Sequence, residues 1–145
     1  MAISFTYKND SIARTISNKN KIKNWIKFII EKEFKKSAGD ITYYFTDDPE
    51  ILEINKKYLN HNFYTDIITF GYCTENNISG DIVISVDTVK SNANEFNVTF
   101  ENELNRVIIH GILHLIGFDD KDDDQIKRMR EKENWALQIF YSKWK

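Results

Sequence analysis

The sequence predicts a single α+β domain, a small mixed sheet of about four strands with about five helices around it. Three observations carry this reading. Short runs with alternating apolar residues occur at the N-terminus and in mid-chain, runs with apolar residues at helical spacing lie between and after them, and residues 100–116 are apolar around most of a helical circumference. A chain of 145 residues fits one core. One proline and five glycines leave no Pro- or Gly-rich linker to divide it.

Ile3, Phe5 and Tyr7 alternate over residues 2–7 and define a first strand. Asn18 is placed to cap a helix whose Ile22, Trp25, Ile26, Ile29, Ile30 and Phe34 recur at helical spacing, with Gly39 as its stop. Ile41, Tyr43 and Phe45 form a second strand. In the run TDDPE, Thr46, Asp47 or Asp48 can cap a helix with Pro49 in its first turn. That helix runs to about Tyr58, with Ile51, Ile54 and Tyr58 inward. Residues 66–72 and 80–86 are β-rich and joined by the turn-like TENNIS, which predicts a hairpin-like pair. Asp87 is a cap for a short helix to about Phe96. Thr99 caps the next, which carries Leu104, Val107, Ile108, Ile112, Leu115 and Ile116; it is the expected central buried helix, and Gly117 stops it. A last helix over about 122–142 turns Ile126, Met129, Trp135, Leu137 and Phe140 inward.

Composition narrows the class. Hydrophobic residues make up 41% and aromatics 14%, enough for a packed interior and against global disorder. The start, MAISFTYKND, lacks a basic region followed by an apolar one, so no signal peptide is expected, and no run is long enough to span a bilayer. Cys73 is the only cysteine, so no intrachain disulfide can form, and a cytoplasmic protein is expected. A net charge of −2 argues against a protein coated in nucleic acid, but it allows an enzyme that holds RNA in one local cleft. The charges are segregated: seven lysines lie in residues 19–36, and residues 119–124 are mostly acidic. The lysines read first as a solvated helix face and second as an RNA path.

The strongest chemical signal is His110-Gly-Ile-Leu-His114-Leu-Ile-Gly117-Phe-Asp119-Asp120. Residues four apart on a helix share a face with Cβ atoms about 5–6 Å apart, a span two imidazoles can close around one ion. Gly117 breaks the helix and lets Asp119 or Asp120 reach back as a third ligand. Two histidines and a carboxylate leave a position for water, the open form of a catalytic zinc site. Zinc is therefore the first expectation, with manganese or nickel as alternatives because aspartate is a harder ligand. The competing structural reading is two ordinary core histidines; their ligand spacing, the glycine stop and the following acids favour a metal. His61 has no such company and reads as a surface loop residue.

The same spacing occurs in the metzincin protease motif H-E-x-x-H-x-x-G-x-x-H. Gly111 stands where that motif has its glutamate base and Asp120 where it has a third histidine, so a zinc protease is the second reading.

The sequence resembles the YbeY family of bacterial metal-dependent endoribonucleases. Their hallmark, H-G-x-L-H-L-x-G-(Y/F)-D-H, compares with HGILHLIGFDD here, which differs at the last position. Asn55 to Tyr58 followed by Thr65 to Phe70 resembles a second family block. Gly80 and Asp81 resemble a third, and Glu103 lies seven residues before His110 as in the family. The resemblance covers about residues 40–140. It implies a YbeY-like metal-dependent hydrolase domain over 1–145, with His110, His114 and Asp120 as metal ligands. It also implies a single-strand-specific endoribonuclease that acts in maturation of ribosomal RNA, small-subunit RNA above all, and in ribosome quality control, with ribosome-associated factors as partners. Two positions depart: Asp120 replaces the family's third histidine, and Leu59 replaces an arginine to which the family assigns RNA binding or catalysis. A metal-stabilised, ribosome-associated RNA-binding module is the non-enzymatic alternative.

Arg106 and His114 are the catalytic candidates. Arg106 lies one turn before His110 on the same helix face, where it can grip a phosphate in place of the missing arginine, or form an ion pair with Glu101 or Glu103. Asp66 can orient a metal histidine, although a turn or strand-start role is the preferred reading; Asp81 invites the same pair of roles. Cys73 has no activating neighbour in sequence.

Overall fold

The computed structural model describes residues 2–61 and 65–144. Four strands, β1 (Ile3–Tyr7), β2 (Ser37–Thr46), β3 (Ile67–Gly71) and β4 (Asn77–Ser85), form one sheet in the order β1-β2-β4-β3. β1, β2 and β4 run parallel, and β3 pairs antiparallel with β4, with Ile67 opposite Ile84 and Gly71 opposite Gly80. The expected α+β fold and the hairpin-like pair are therefore present.

The described residues contain six helices: α1 (Asp10–Ala13), α2 (Lys19–Phe28, continued by a π-helical turn Ile29–Glu33), α3 (Asp48–Leu59), α4 (Val86–Glu95), α5 (Phe100–Ile116) and α6 (Asp123–Lys143). The extra one, α1, spans barely a turn, too short to show periodicity; the Asn9 side chain caps it by accepting from the Ile12 N–H.

The period-2 pattern of β2 divides the core. Ile41, Tyr43 and Phe45 face α2, α5 and α6 in the main core, while Tyr44 on the opposite face packs with Ile51 and Ile54 of α3 and with Ile68 and Val83. Trp25, at the centre of the main core, donates its indole N–H to the Ala136 carbonyl at 3.0 Å. Tyr43 is buried, and its hydroxyl donates to the Ile108 carbonyl at 2.9 Å, tying sheet to central helix.

Several sequence expectations need correction. Asn18 stands at the start of α2 but in the left-handed region (φ 59°), with no capping bond from its side chain. Gly39 does not end that helix: the chain leaves it near Lys35, at φ 56°, and Gly39 lies inside β2. The π turn accounts for the early exit, since the Phe34 N–H bonds back to Ile29 and the Lys36 N–H to Ile30. Ser85, not Asp87, caps α4. Tyr58 and Ile126 point outward, at 61% and 50% exposure, each near an end of its helix where no layer remains to cover it. Asp47 and Thr99 cap α3 and α5 as expected.

Candidate metal centre and adjoining cleft

α5 is the buried axis of the domain. Ile108, Ile109, Ile112 and Leu113 are fully buried along it. The helix settles onto the sheet at Gly111, where a Cβ would lie 3.0 Å from Ile67 Cδ1 and 3.1 Å from Ile82 Cδ1. A side chain at 111 would point into the sheet, so the glutamate base of the protease motif has no room in this packing.

His110 and His114 sit on the half-exposed side of the last two turns of α5, with ring centroids 4.6 Å apart. Gly117 ends the helix at φ 128°, a conformation side chains resist, and its N–H and that of Phe118 close onto the carbonyls of Leu113 and His114. The reversal carries Asp120 back over the histidines. Its Oδ2 lies 3.5 Å from His110 Nε2 and 3.4 Å from His114 Nε2. One ligand atom from each of His110, His114 and Asp120 falls within a 4.8 Å group. Bonds of about 2.0–2.1 Å in a tetrahedral arrangement separate neighbouring ligand atoms by roughly 3.3 Å, so this donor set fits one zinc-sized ion. Asp119 is placed differently: its Oδ1 is 3.9 Å from His114 Nδ1, on the other ring nitrogen.

The sequence reading missed Glu133. From α6, its Oε2 accepts from His110 Nδ1 at 2.6 Å, and its Oε1 accepts from Arg106 Nη1 at 3.0 Å. A proton held at Nδ1 by Glu133 would leave Nε2, which faces Asp120, as the atom free to bind a metal. Burial opposes the charged form of His110, but the Glu133 hydrogen bond and charge, with Asp66 and Asp120, outweigh it and raise the pKa. Burial likewise opposes a charged Glu133, yet His110 and Arg106 hold its pKa below the usual value. A signal was present in the sequence: Glu133 lies four residues after Met129 and four before Leu137, an acid on the apolar stripe of α6 that needs a buried partner.

The site opens into a cleft of about 290 Å³ whose walls include Asp66, Phe96, Glu103, Arg106, His110 and Arg130. Arg106 forms its ion pair with Glu133 rather than with the expected Glu101 or Glu103, and it lines the cleft. Asp66 directly precedes β3, and its carbonyl accepts from the Ser85 N–H, as a strand-start residue should; its carboxyl also reaches the cleft. Burial raises the pKa of Asp66 and of Glu103. Asp81 is away from this site, accepting from the Tyr72 hydroxyl at 3.1 Å on β4. Cys73 and His61 are exposed, the former against the Ser79 and Leu115 carbonyls. Leu59 ends α3 at 39% exposure. Lys19 and Lys23 are half-buried, with their ammonium groups over the rings of Tyr7 and Phe5 on β1.

An α+β domain whose central helix presents two histidines to a returning aspartate, with a buried carboxylate behind the first, has the architecture of a metal-dependent hydrolase. A family model described as Endoribonuclease YbeY matches residues 4–141. The Endoribonuclease YbeY of Azobacteroides pseudotrichonymphae is 50% identical over 141 residues, covering 95% of this chain and 97% of its own. That of Bacteroides fragilis is 45% identical over 135 residues, covering 93% and 96%. A solution structure of a Thermotoga maritima protein superposes with a TM-score of 0.69 at 32% identity, covering 99% of this chain and 91% of that one. The chain belongs to the endoribonuclease YbeY family.

Proposed function

We propose that this protein is a metal-dependent endoribonuclease that hydrolyses phosphodiester bonds in single-stranded RNA. The observation that carries the reading is the convergence of His110, His114 and Asp120, in a chain of this family, on a volume that one ion can occupy. Residues 1–145 form the hydrolase domain. Zinc is the preferred ion, since two imidazoles and one carboxylate with a fourth position for water match its catalytic sites. His110, His114 and Asp120 would hold such an ion, and it would supply Lewis acidity toward water and a phosphate oxygen.

The chain's own residues do the rest. Glu133 holds the His110 tautomer and anchors Arg106. Arg106, which lines the cleft, turns its remaining donors to the phosphate and supplies the cation that Leu59 does not. Single-stranded RNA is the favoured substrate because its backbone can enter a cleft freely. In the cell the substrate is ribosomal RNA, in maturation of the small subunit and in ribosome quality control, and the compartment is the cytoplasm. No helix among the described residues is long and apolar enough to cross a membrane.

Incubating the purified protein with ribosomal RNA and, separately, with casein tests this, each with and without a chelator. The expected result is loss of RNA that the chelator stops and added zinc restores, with casein intact. Metal-dependent loss of casein alone would favour the protease. Loss of neither, with tight retention of RNA, would favour the binding module.

A further inference from the structure

Beside the histidines, the cleft carries three features that neither the metal centre nor the fold uses. Arg130 of α6 lies three residues before Glu133, so it faces the same side of that helix. Unlike Arg106, it is exposed and makes no hydrogen bond or ion pair to any described residue. On the facing wall, Phe96 closes α4 with 52% of its surface exposed and no ring partner among the described residues. Asn92 stands one turn before Phe96, half-buried, and its side-chain amide makes no hydrogen bond to a described residue. An open cation, an open aromatic face and an open amide thus line a single cavity that also contains His110 and Asp120.

We propose that this part of the cleft is a nucleotide subsite for single-stranded RNA next to the scissile phosphate, with a base stacked on Phe96 and a backbone phosphate held by Arg130. The inference rests on the ribonuclease reading of the metal centre and extends it. Arg106 already gives a donor to Glu133, whereas Arg130 makes no hydrogen bond or ion pair to a described residue and feels Glu103 only through space, so its whole guanidinium fork is open to a second phosphate. Every base has a π-face, so stacking on Phe96 holds a nucleotide without demanding a sequence, and single strands alone expose that face. Asn92 can donate to or accept from the base edge, the one contact here able to express a preference. The half-buried Asp66 and buried Glu103 carboxylates repel a phosphate from the inner wall, leaving the backbone to run along the Arg130 side. Duplex RNA offers no free base face and is therefore a poor ligand.

The test uses the full chain and a labelled single-stranded RNA of mixed sequence. Fluorescence anisotropy reads binding, gel assay reads cleavage, and elemental analysis reads metal. Phe96→Ala and Arg130→Ala should each weaken binding by on the order of 10-fold with metal content unchanged. Arg130→Ala should also lower the salt dependence of binding by about one phosphate contact, and Arg130→Lys should recover part of the loss. Lys27→Ala, which removes the same charge on α2 outside the cleft, should leave affinity within about twofold of wild type. Wild-type affinity in both cleft variants of a protein that still cleaves RNA would overturn the subsite and leave the ribonuclease reading intact. A loss equal to that of Lys27→Ala would reduce Arg130 to bulk charge and also overturn it. A wild-type protein that neither binds nor cleaves RNA would overturn the reading beneath it and the subsite together.

Discussion

At the scale of single residues, Glu133 is the buried acid that ties His110 to Arg106 behind the candidate ligands. It is 5% exposed and shared between His110 and Arg106, so its charge is compensated on both oxygens. Glu133→Gln keeps the volume but removes the charge that favours a proton on His110 Nδ1. Metal affinity should fall about 10- to 100-fold, the usual effect of losing a carboxylate behind a ligand histidine. Competition with a chelating dye would read this, and an unchanged affinity would show that His110 needs no orienting partner. Arg106 gives a second prediction. Arg106→Lys keeps charge but loses the planar fork, so RNA cleavage should drop while metal content stays. Arg106→Ala should drop it further, by roughly 10²-fold if the guanidinium meets charge in the transition state. Full cleavage by a folded Arg106→Ala protein would remove Arg106 from the chemistry. The approach of the two histidines was legible in sequence because residues four apart on a helix share a face. Glu133 lies 23 residues beyond His110, and only the packing of α6 on α5 brings the two together.

At the scale of elements, each helix start tests how local chemistry stabilises the scaffold. Asp47 caps α3 by accepting from the Glu50 N–H at 3.1 Å, and Lys8 beside β1 donates to its other oxygen at 2.8 Å. The Lys8 hydrogen bond is the main reason the Asp47 pKa lies below its ordinary value of 3.8. A carboxyl depressed in the folded state contributes stability above its unfolded pKa and loses it as pH falls through the folded value. Lys8→Ala should therefore lower stability slightly at neutral pH, where the contribution is fully present, and flatten its loss below about pH 3.8, so that the two proteins converge in strong acid in urea titrations. An unaltered acid limb would mean the pair contributes nothing, as many exposed ion pairs do. Capping residues such as Asp47 and Thr99 were legible because a cap is a local bond. The end of α2 was not, because the π turn and the left-handed Lys35 end the helix before Gly39 is reached.

At the scale of the whole molecule, strand positions and the central helix were legible from hydrophobic period alone, since burial on one face must repeat with the backbone. The parallel pairing of β1, β2 and β4 was not, because strand order depends on contacts between segments distant in sequence. The cleft was invisible for the same reason: its walls come from α4, α5, α6, the loop between α5 and α6, and the residue before β3. What the fold achieves is to place an apolar helix so that its last two turns emerge at the edge of the core, with Gly117 returning acids to them. The central claim is that one metal ion is held there by His110, His114 and Asp120. Elemental analysis of purified wild-type protein and of the His110→Ala, His114→Ala, Asp120→Ala and Asp119→Ala variants tests it most directly. Wild type and Asp119→Ala should hold about one zinc per chain, and the other three should hold little. Full metal content in both histidine variants would contradict the account.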